Sequence, residues 1–481
     1  MDMLTEQASC RLPPTQRLSP FVPLIIGSAL LMQGIDGTAI TVALPSMAKA
    51  LGTSVLAMNI AISAYLLSIA IFIPASAWAA DRFGARTTFC YAIAIFVASS
   101  LLCGLSRSLP ELVVARVIQG LGGALMIPVG RLVLLRSVPR SDYVRAISLF
   151  TVPALIGPVM GAPLGGLIVE IASWHWIFFI NIPLGLMGIA ATLRHVPEVH
   201  GTEPERFDMR GFLCVAAGLS CITVALAGIG HGLSGATVLA LSAASVAAFL
   251  LYRFHAQRTA GPVIDLHLMK TRSFRIVVQY GTLWRAAMAG LPILIALLLQ
   301  LGFGLGPLAT GMIVFTSAAG ALLMKASAGA ILNRFGFRQV MTTNALLTAG
   351  FAAMYGLFDR NTSHILLIAA LFAGGYFRSL QYTSLGTLAF ADLPDHALGR
   401  ASAFASMSQE MAQSIGTSLA ILLIQGAMIL FGTSHPGQHE IQFAFFAMGA
   451  IGCLSALGFR TLDEEDGAAI RVPAAASERS E

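Results

Sequence analysis

The sequence predicts an all-α polytopic membrane protein: two six-helix halves and two inserted helices, fourteen spans in all, with both termini cytoplasmic. Three observations predict this. Fourteen apolar runs fill the chain, the positive charge falls on alternate gaps between them, and one gap motif occurs twice. The composition agrees, since 56% hydrophobic and 11% charged residues lie far outside the soluble globular range.

The runs cover residues 21–44, 55–80, 87–105, 110–129, 146–169, 174–193, 212–229, 236–252, 276–301, 308–332, 340–358, 364–390, 402–431 and 441–459. Most reach the roughly 20 helical residues that a hydrocarbon layer takes. The shorter runs at 212–229 and 236–252 span with flanking polar residues reaching outward.

With the N-terminus placed inside, 22 of the 29 Lys and Arg fall in gaps or tails on the inner side. Lys49, Arg107 and Arg360 fall on the outer side, and Arg116, Arg285, Lys325 and Arg378 lie within runs. That asymmetry sets the orientation. The net charge of +6 then reports topology and contact with anionic lipid, and gives no argument for nucleic acid. The first 20 residues are polar, and the run after them is too long for a signal-peptide core, so 21–44 stays as the first span. Six scattered cysteines with no Cys-x-x-Cys predict free buried thiols, with neither disulfide nor metal site.

The gap after the second run reads Asp81-Arg82-Phe83-Gly84-Ala85-Arg86, and the gap after the tenth reads Asn333-Arg334-Phe335-Gly336-Phe337-Arg338. A match of the second gap with the tenth implies that spans 1–6 repeat as spans 9–14. The expected organisation is a cytoplasmic tail (1–20), an N-terminal half (21–193), a linker with two inserted spans (194–273), a C-terminal half (274–460) and a disordered cytoplasmic tail (461–481). Two such halves with a site between them form a transporter architecture.

Three segments carry a resemblance. The first span holds Asp36-Gly37-Thr38-Ala39-Ile40-Thr41-Val42-Ala43-Leu44-Pro45, the fourth holds Arg116-Val117-Ile118-Gln119-Gly120, and Trp174-His175-Trp176-Ile177-Phe178-Phe179-Ile180-Asn181-Ile182-Pro183-Leu184-Gly185 opens the sixth. Together they resemble the major facilitator superfamily, and within it the fourteen-helix drug:proton antiporter family (EmrB/QacA-like). The resemblance implies a gating role for Asp81, Arg82, Gly84 and Arg86 in the repeated turn, and for Gly120. The chain departs from the family pattern at Ala77 and Ala85, where Gly and a basic residue are usual. In the fifth span Gly161-Ala162-Pro163-Leu164-Gly165-Gly166 shifts the family's proline by one, and Gly157-Pro158 lies one turn earlier. Gly157, Gly161 and Gly165 recur every four residues and form a smooth strip for a neighbouring backbone. Pro158 and Pro163 each remove a helix hydrogen bond.

Asp36 is the sharpest single residue. It lies nine residues from Pro45, roughly 13 Å of helix from the outer end. A carboxylate at that depth is costly to ionise unless paired, and Arg116 lies at comparable depth. Such a group loads and releases a proton as its access alternates, so Asp36 and Arg116 are the candidate proton-coupling residues; the bland reading is a structural ion pair. In the second half Arg285, Lys325, Arg378 and Glu410 are candidates for lining a substrate cavity, with depth pairing Lys325 with Glu410. Two buried acids against four bases suggest an anionic or mixed-charge substrate, unless carbonyls, water and lipid satisfy the arginines.

No Gly-Lys dipeptide is present, so no phosphate-binding Walker loop exists to use ATP, and the proton gradient is the expected energy source with no cofactor. The function these features imply is a proton-coupled exporter of small amphiphilic molecules in the cell membrane. The alternative is a proton-coupled exporter of an anionic metabolite. A third reading, an intramembrane serine hydrolase, rests on Gly232-Leu233-Ser234-Gly235 beside His231, but adjacency is not the geometry a base needs. The implied partners are a small-molecule substrate, protons and the lipid bilayer. The sequence leaves a periplasmic adaptor unspecified.

Overall fold

A computed structural model describes residues 22–137, 143–196, 198, 207–230, 232–259, 261–394, 397–463 and 465–467. The N-terminal tail, His231 and the chain past 467 lie outside the described residues. Among the described residues, thirteen helices are long and apolar enough to cross a membrane. The longest, Pro307–Tyr355, contains one non-helical residue, Gly336, with φ 73° and ψ 163°. Gly336 divides it in two, which gives fourteen spans.

We label these α1 (Val22–Ala50), α2 (Val55–Phe72), α3 (Ala85–Leu105), α4 (Leu109–Ser137), α5 (Tyr143–Ile171), α6 (Trp176–His195), α7 (Met209–Gly230) and α8 (Gly235–Ala256). Then follow α9 (Arg272–Gly302), α10 (307–335), α11 (337–355), α12 (His364–Ala391), α13 (Leu398–Phe431) and α14 (Gln438–Phe459). The run read as 55–80 bends at Pro74, and Ala75–Phe83 carries α2 onward to the inner side.

The turns follow local chemistry. Ser54 caps α2 by accepting from Ala57 N at 3.0 Å, and Gly52 supplies the positive φ before it. Ser234 caps α8 in the same way, accepting from Thr237 N at 3.2 Å. The serine of the hydrolase reading is therefore a helix cap in an exposed turn. Gly84 adopts φ 89° and ψ 143°, close to the values at Gly336. The two glycines of the repeated motif thus share a conformation that side chains with a Cβ rarely adopt.

The glycine strip of α5 packs on α1. A Cβ at Gly157 would lie 2.7 Å from Leu31 O, one at Gly161 2.8 Å from Ile35 O, and one at Gly165 2.6 Å from Ala39 Cα. Gly34 on α1 returns the contact to Pro158, so both backbones touch over about three turns. Gly416 on α13 meets Ala286 O of α9 equally closely. The first and fifth helices of each half are therefore fused by the same device.

The inserted pair α7 and α8 rests on α2 and α13. Phe72 and Phe212 rings lie 5.7 Å apart, and Ala70, Val215, Leu219 and Met407 share one buried cluster. Contacts between the halves run from mid-helix to the outer ends. Ser63 Oγ meets Ser418 Oγ at 2.9 Å, and Ser414 Oγ donates to Ser63 O at 3.1 Å. Gln300 Nε2 donates to Val42 O at 2.8 Å, and Leu308 N donates to Glu170 Oε2 at 3.2 Å. Gly166 lets Pro307 O approach to within 2.5 Å of where its Cβ would stand.

Replacing Gly165 with alanine is expected to push α1 and α5 apart and cost about 1–3 kcal/mol, as overpacking does. The control is Gly37→Ala, since a Cβ at Gly37 meets nothing within 4 Å. Thermal melting in detergent checks this: a melting temperature lowered in Gly165→Ala and kept in Gly37→Ala is the expected result.

Candidate functional site

Five helices of the first half converge on one ion pair. Arg116 Nη1 of α4 donates to Asp36 Oδ2 of α1 at 2.6 Å, and both side chains are fully buried. Arg116 Nη1 also donates to Gln119 Oε1 at 2.5 Å, one helical turn away. Gln119 Nε2 then donates to Ser100 Oγ of α3 at 2.8 Å. Asn181, the asparagine of the segment that opens α6, donates to the same Ser100 Oγ at 3.3 Å. The Tyr65 ring of α2 lies 4.0 Å from the guanidinium carbon, a cation–π contact.

The two oxygens of Asp36 are held unequally. Oδ2 has the short bond from Arg116, while Oδ1 has Gln119 Nε2 at 3.4 Å and Asn181 Nδ2 at 3.5 Å. Bonds at those lengths are weak, so Oδ1 retains much of its capacity to accept. Arg116 Nε is buried without a hydrogen-bond partner among the described residues.

On the cavity side of this pair lies a space of about 470 Å³ between the halves. Gln33, Thr38, Tyr65, Arg116, Glu410 and Gln413 contribute its polar wall. Leu30, Ile69 and Ile127 line it toward the inner ends of their helices. The cavity reaches the seam, since Ile62 and Thr417 also line it, and the contacts at Gly166, Glu170 and Gln300 lie farther outward, so this conformation is closed toward the outside. Asp36 is not in the wall, whereas its partner Arg116 is. A second lobe of about 230 Å³ shares Thr38, Thr41, Ala154, Pro158 and Pro292 with the first and holds Lys325 and Arg378.

The second-half candidates are thus divided. Lys325 and Arg378 line the smaller lobe, Glu410 lines the larger one, and Arg285 lines neither. The pairing of Lys325 with Glu410 read from depth is corrected: Lys325 Nζ donates to Thr383 Oγ1 at 2.8 Å, and the charge interacting with Glu410 is Arg285. Depth along a helix says nothing of direction around it, and Lys325 points to a different lobe. Arg378 Nη2 donates to Ser317 Oγ at 3.2 Å.

The loop motif residues take their places at the inner end. Asp81 and Arg82 lie in the last turn of Ala75–Phe83, and Gly84 makes the bend. Arg86 is tied to the end of α6, through Nη1 to Val196 O at 3.2 Å and by an ion pair with Glu198 at 3.4 Å. Gly120 admits α2, with Tyr65 O 2.6 Å from where a Cβ would stand. Gln119 and Asn181 stood inside motifs the sequence displays, yet their neutral amides carried no signal of their own. Ser100, Tyr65 and Gln33 had no signal beyond being polar within apolar runs.

Removing Arg116 alone strands Asp36 as an uncompensated buried charge, a loss of about 3–5 kcal/mol. Arg116→Gln is therefore expected to be strongly destabilised, and Arg116→Gln combined with Asp36→Asn to recover most of the loss. Unfolding of both variants in detergent checks this. Equal loss in the two would assign the energy to packing of the guanidinium on Tyr65.

Comparisons with known proteins agree with this architecture. The profile of the Major Facilitator Superfamily matches residues 26–264 and 280–478. A protein of Klebsiella pneumoniae (strain 342), named MdtD for multidrug resistance, is 38% identical over 450 residues, 92% of this chain and 94% of that one. Its namesake in Salmonella paratyphi A is 38% identical over 90% of this chain and 93% of its own. Among solved structures, a D-xylose–proton symporter superposes with a TM-score of 0.66 at 15% identity, covering 93% of this chain and 98% of its own. A peptide transporter of the POT family, PepTSo, superposes with a TM-score of 0.67 at 14% identity, covering 92% and 97%. At these identities the likeness is one of fold. With the profile spanning nearly the whole chain and relatives above a third identical along its length, this membrane protein belongs to the major facilitator superfamily.

Proposed function

We propose that this chain exports small amphiphilic molecules from the cytoplasm in exchange for protons. The observation that carries the reading is Asp36, a carboxylate at mid-depth beside a cavity between the halves, with one oxygen firmly bound and the other loosely held. A proton arriving at Oδ1 neutralises Asp36 and weakens its hold on Arg116. Arg116 faces the cavity, so protonation at Asp36 changes the charge that a substrate meets there. The two events are thereby coupled through one guanidinium. The names of the relatives support drug-like cargo, and the mainly apolar lining of both lobes suits amphiphiles.

The test is transport by purified protein in proteoliposomes under an imposed pH gradient. Asp36→Asn leaves Arg116 without its counter-ion and is expected to lower stability; the folded, reconstituted fraction is expected to bind substrate and to lose uphill transport driven by the gradient. Uphill export at the wild-type rate in Asp36→Asn would sink the proton-carrying role. A second expectation concerns Arg116→Ala, which is expected to move the pH optimum of transport; an unchanged optimum breaks the link between the two residues.

A further inference from the structure

Arg378 occupies in the second half the place that Arg116 occupies in the first, without the acid. Both stand in the spacing Arg-x-x-Gln, Arg116 with Gln119 on α4 and Arg378 with Gln381 on its counterpart α12. Both glutamines turn to the preceding helix. Gln119 Nε2 donates to Ser100 Oγ of α3 at 2.8 Å, and Asn344 Nδ2 of α11 donates to Gln381 Oε1 at 3.0 Å. Both arginines line the space between the halves.

The difference lies on the first helix of each half. α1 gives Asp36 to Arg116. Carrying either the separation of the two turn motifs or that of the two arginines onto Asp36 lands between Met288 and Leu298 on α9, a stretch with no ionisable side chain. Among the described residues Arg378 bonds Ser317 Oγ and no carboxylate. Lys325 shares its lobe and bonds Thr383 Oγ1. Ser317, Ala321 and Lys325 recur every four residues on α10, so both cations address one wall. The remaining lining includes Ile295, Val314, Phe315, Leu322 and Leu371.

We propose that this lobe docks the acid group of an amphiphilic organic anion, which gives Arg378 the charge that Asp36 gives Arg116. The proposal rests on the transport reading above and adds the charge class of the cargo. Two like charges face this apolar lobe without a counter-ion, and the cost falls mainly on the part-buried Arg378, Lys325 being the more exposed. A carboxylate or sulfonate relieves that cost, and a planar guanidinium binds either with two parallel hydrogen bonds. Lys325 lies nearer the inner end of α10 than Ser317, so an acid entering from the cytoplasm meets its point charge first. The apolar body then lies along Phe315 and Leu371 and extends into the larger cavity.

The experiment uses full-length protein and two probes of one ring system, 2-naphthalenesulfonate and (naphthylmethyl)trimethylammonium. Binding is measured by calorimetry in detergent, and flux in proteoliposomes under a pH gradient. Arg378→Gln and Lys325→Gln are each expected to weaken sulfonate binding tenfold or more, the scale of a lost hydrogen bond to a charged group. The ratio of sulfonate to ammonium affinity falls by the same factor, and Arg378→Lys, which keeps the charge, falls between. Two variants on different helices guard against one that fails to fold. Absence of sulfonate binding to the wild type, or equal loss of both probes in both variants, overturns the proposal. Flux of the ammonium without sulfonate binding rejects the anion site and leaves the transport reading standing. Sulfonate binding that needs Arg378 and Lys325, without pH-driven flux of either probe, keeps the site and rejects the transport reading.

Discussion

The buried pair of Asp36 and Arg116 is the constraint around which the first half is arranged. Neither charge survives at that depth alone, and hydrocarbon offers no substitute partner. The guanidinium must therefore be met from several directions at once. α1 brings the carboxylate, α4 brings Gln119 along with the arginine, α3 brings Ser100, α6 brings Asn181 and α2 brings the face of Tyr65. Lipid-phase helices lack the hydrophobic drive that gathers helices in water. A polar hub shared by five of them gives register and rotation to each, while the glycine strip between α1 and α5 sets the closest approach.

The second half keeps the scaffold and changes the chemistry. α9 and α13 touch backbone to backbone as α1 and α5 do, and the turn glycines share their unusual conformation. Its polar hub is neutral: Asn344 bonds Gln381, and Trp284 Nε1 bonds Thr348 Oγ1 at 3.0 Å. Outside that hub Arg285 interacts with Glu410, and two further basic side chains, Lys325 and Arg378, turn to the cavity lobe. One half thus holds a self-compensated pair and the other an uncompensated surplus. A duplicated scaffold with unequal charge suits a division of labour between proton and cargo.

Much of this was legible in the sequence, and the reasons differ by level. Helix number and orientation follow from hydropathy and from the placement of lysine and arginine, both of which act residue by residue. The pair of Asp36 with Arg116 was legible because two opposite charges in hydrocarbon have few other ways to be satisfied. The division of Lys325 and Glu410 between two lobes was not. Residue counting gives depth, while azimuth depends on crossing angles that no single span encodes. That Arg378 lies on the counterpart of the helix holding Arg116 followed from the repeat, while the weight of the shared Arg-x-x-Gln spacing emerges once Gln381 is found bonded across to α11. The amides of Gln119 and Asn181 escaped notice because a neutral group carries no Born penalty to announce it.

The seam that joins the halves near Ser63 is made of hydroxyls. Ser63, Ser414, Thr417 and Ser418 bond one another and a backbone carbonyl, with no ion pair among them. A hydroxyl exchanges a protein partner for water with a net change of only about 0.5–1.5 kcal/mol per bond. Parting this seam in the presence of water therefore changes the free energy little, although each bond is well formed. Such a latch adds little of its own to the free-energy difference between the sealed and parted states. An occupant of the cavity or a proton on one carboxylate then biases the balance between them.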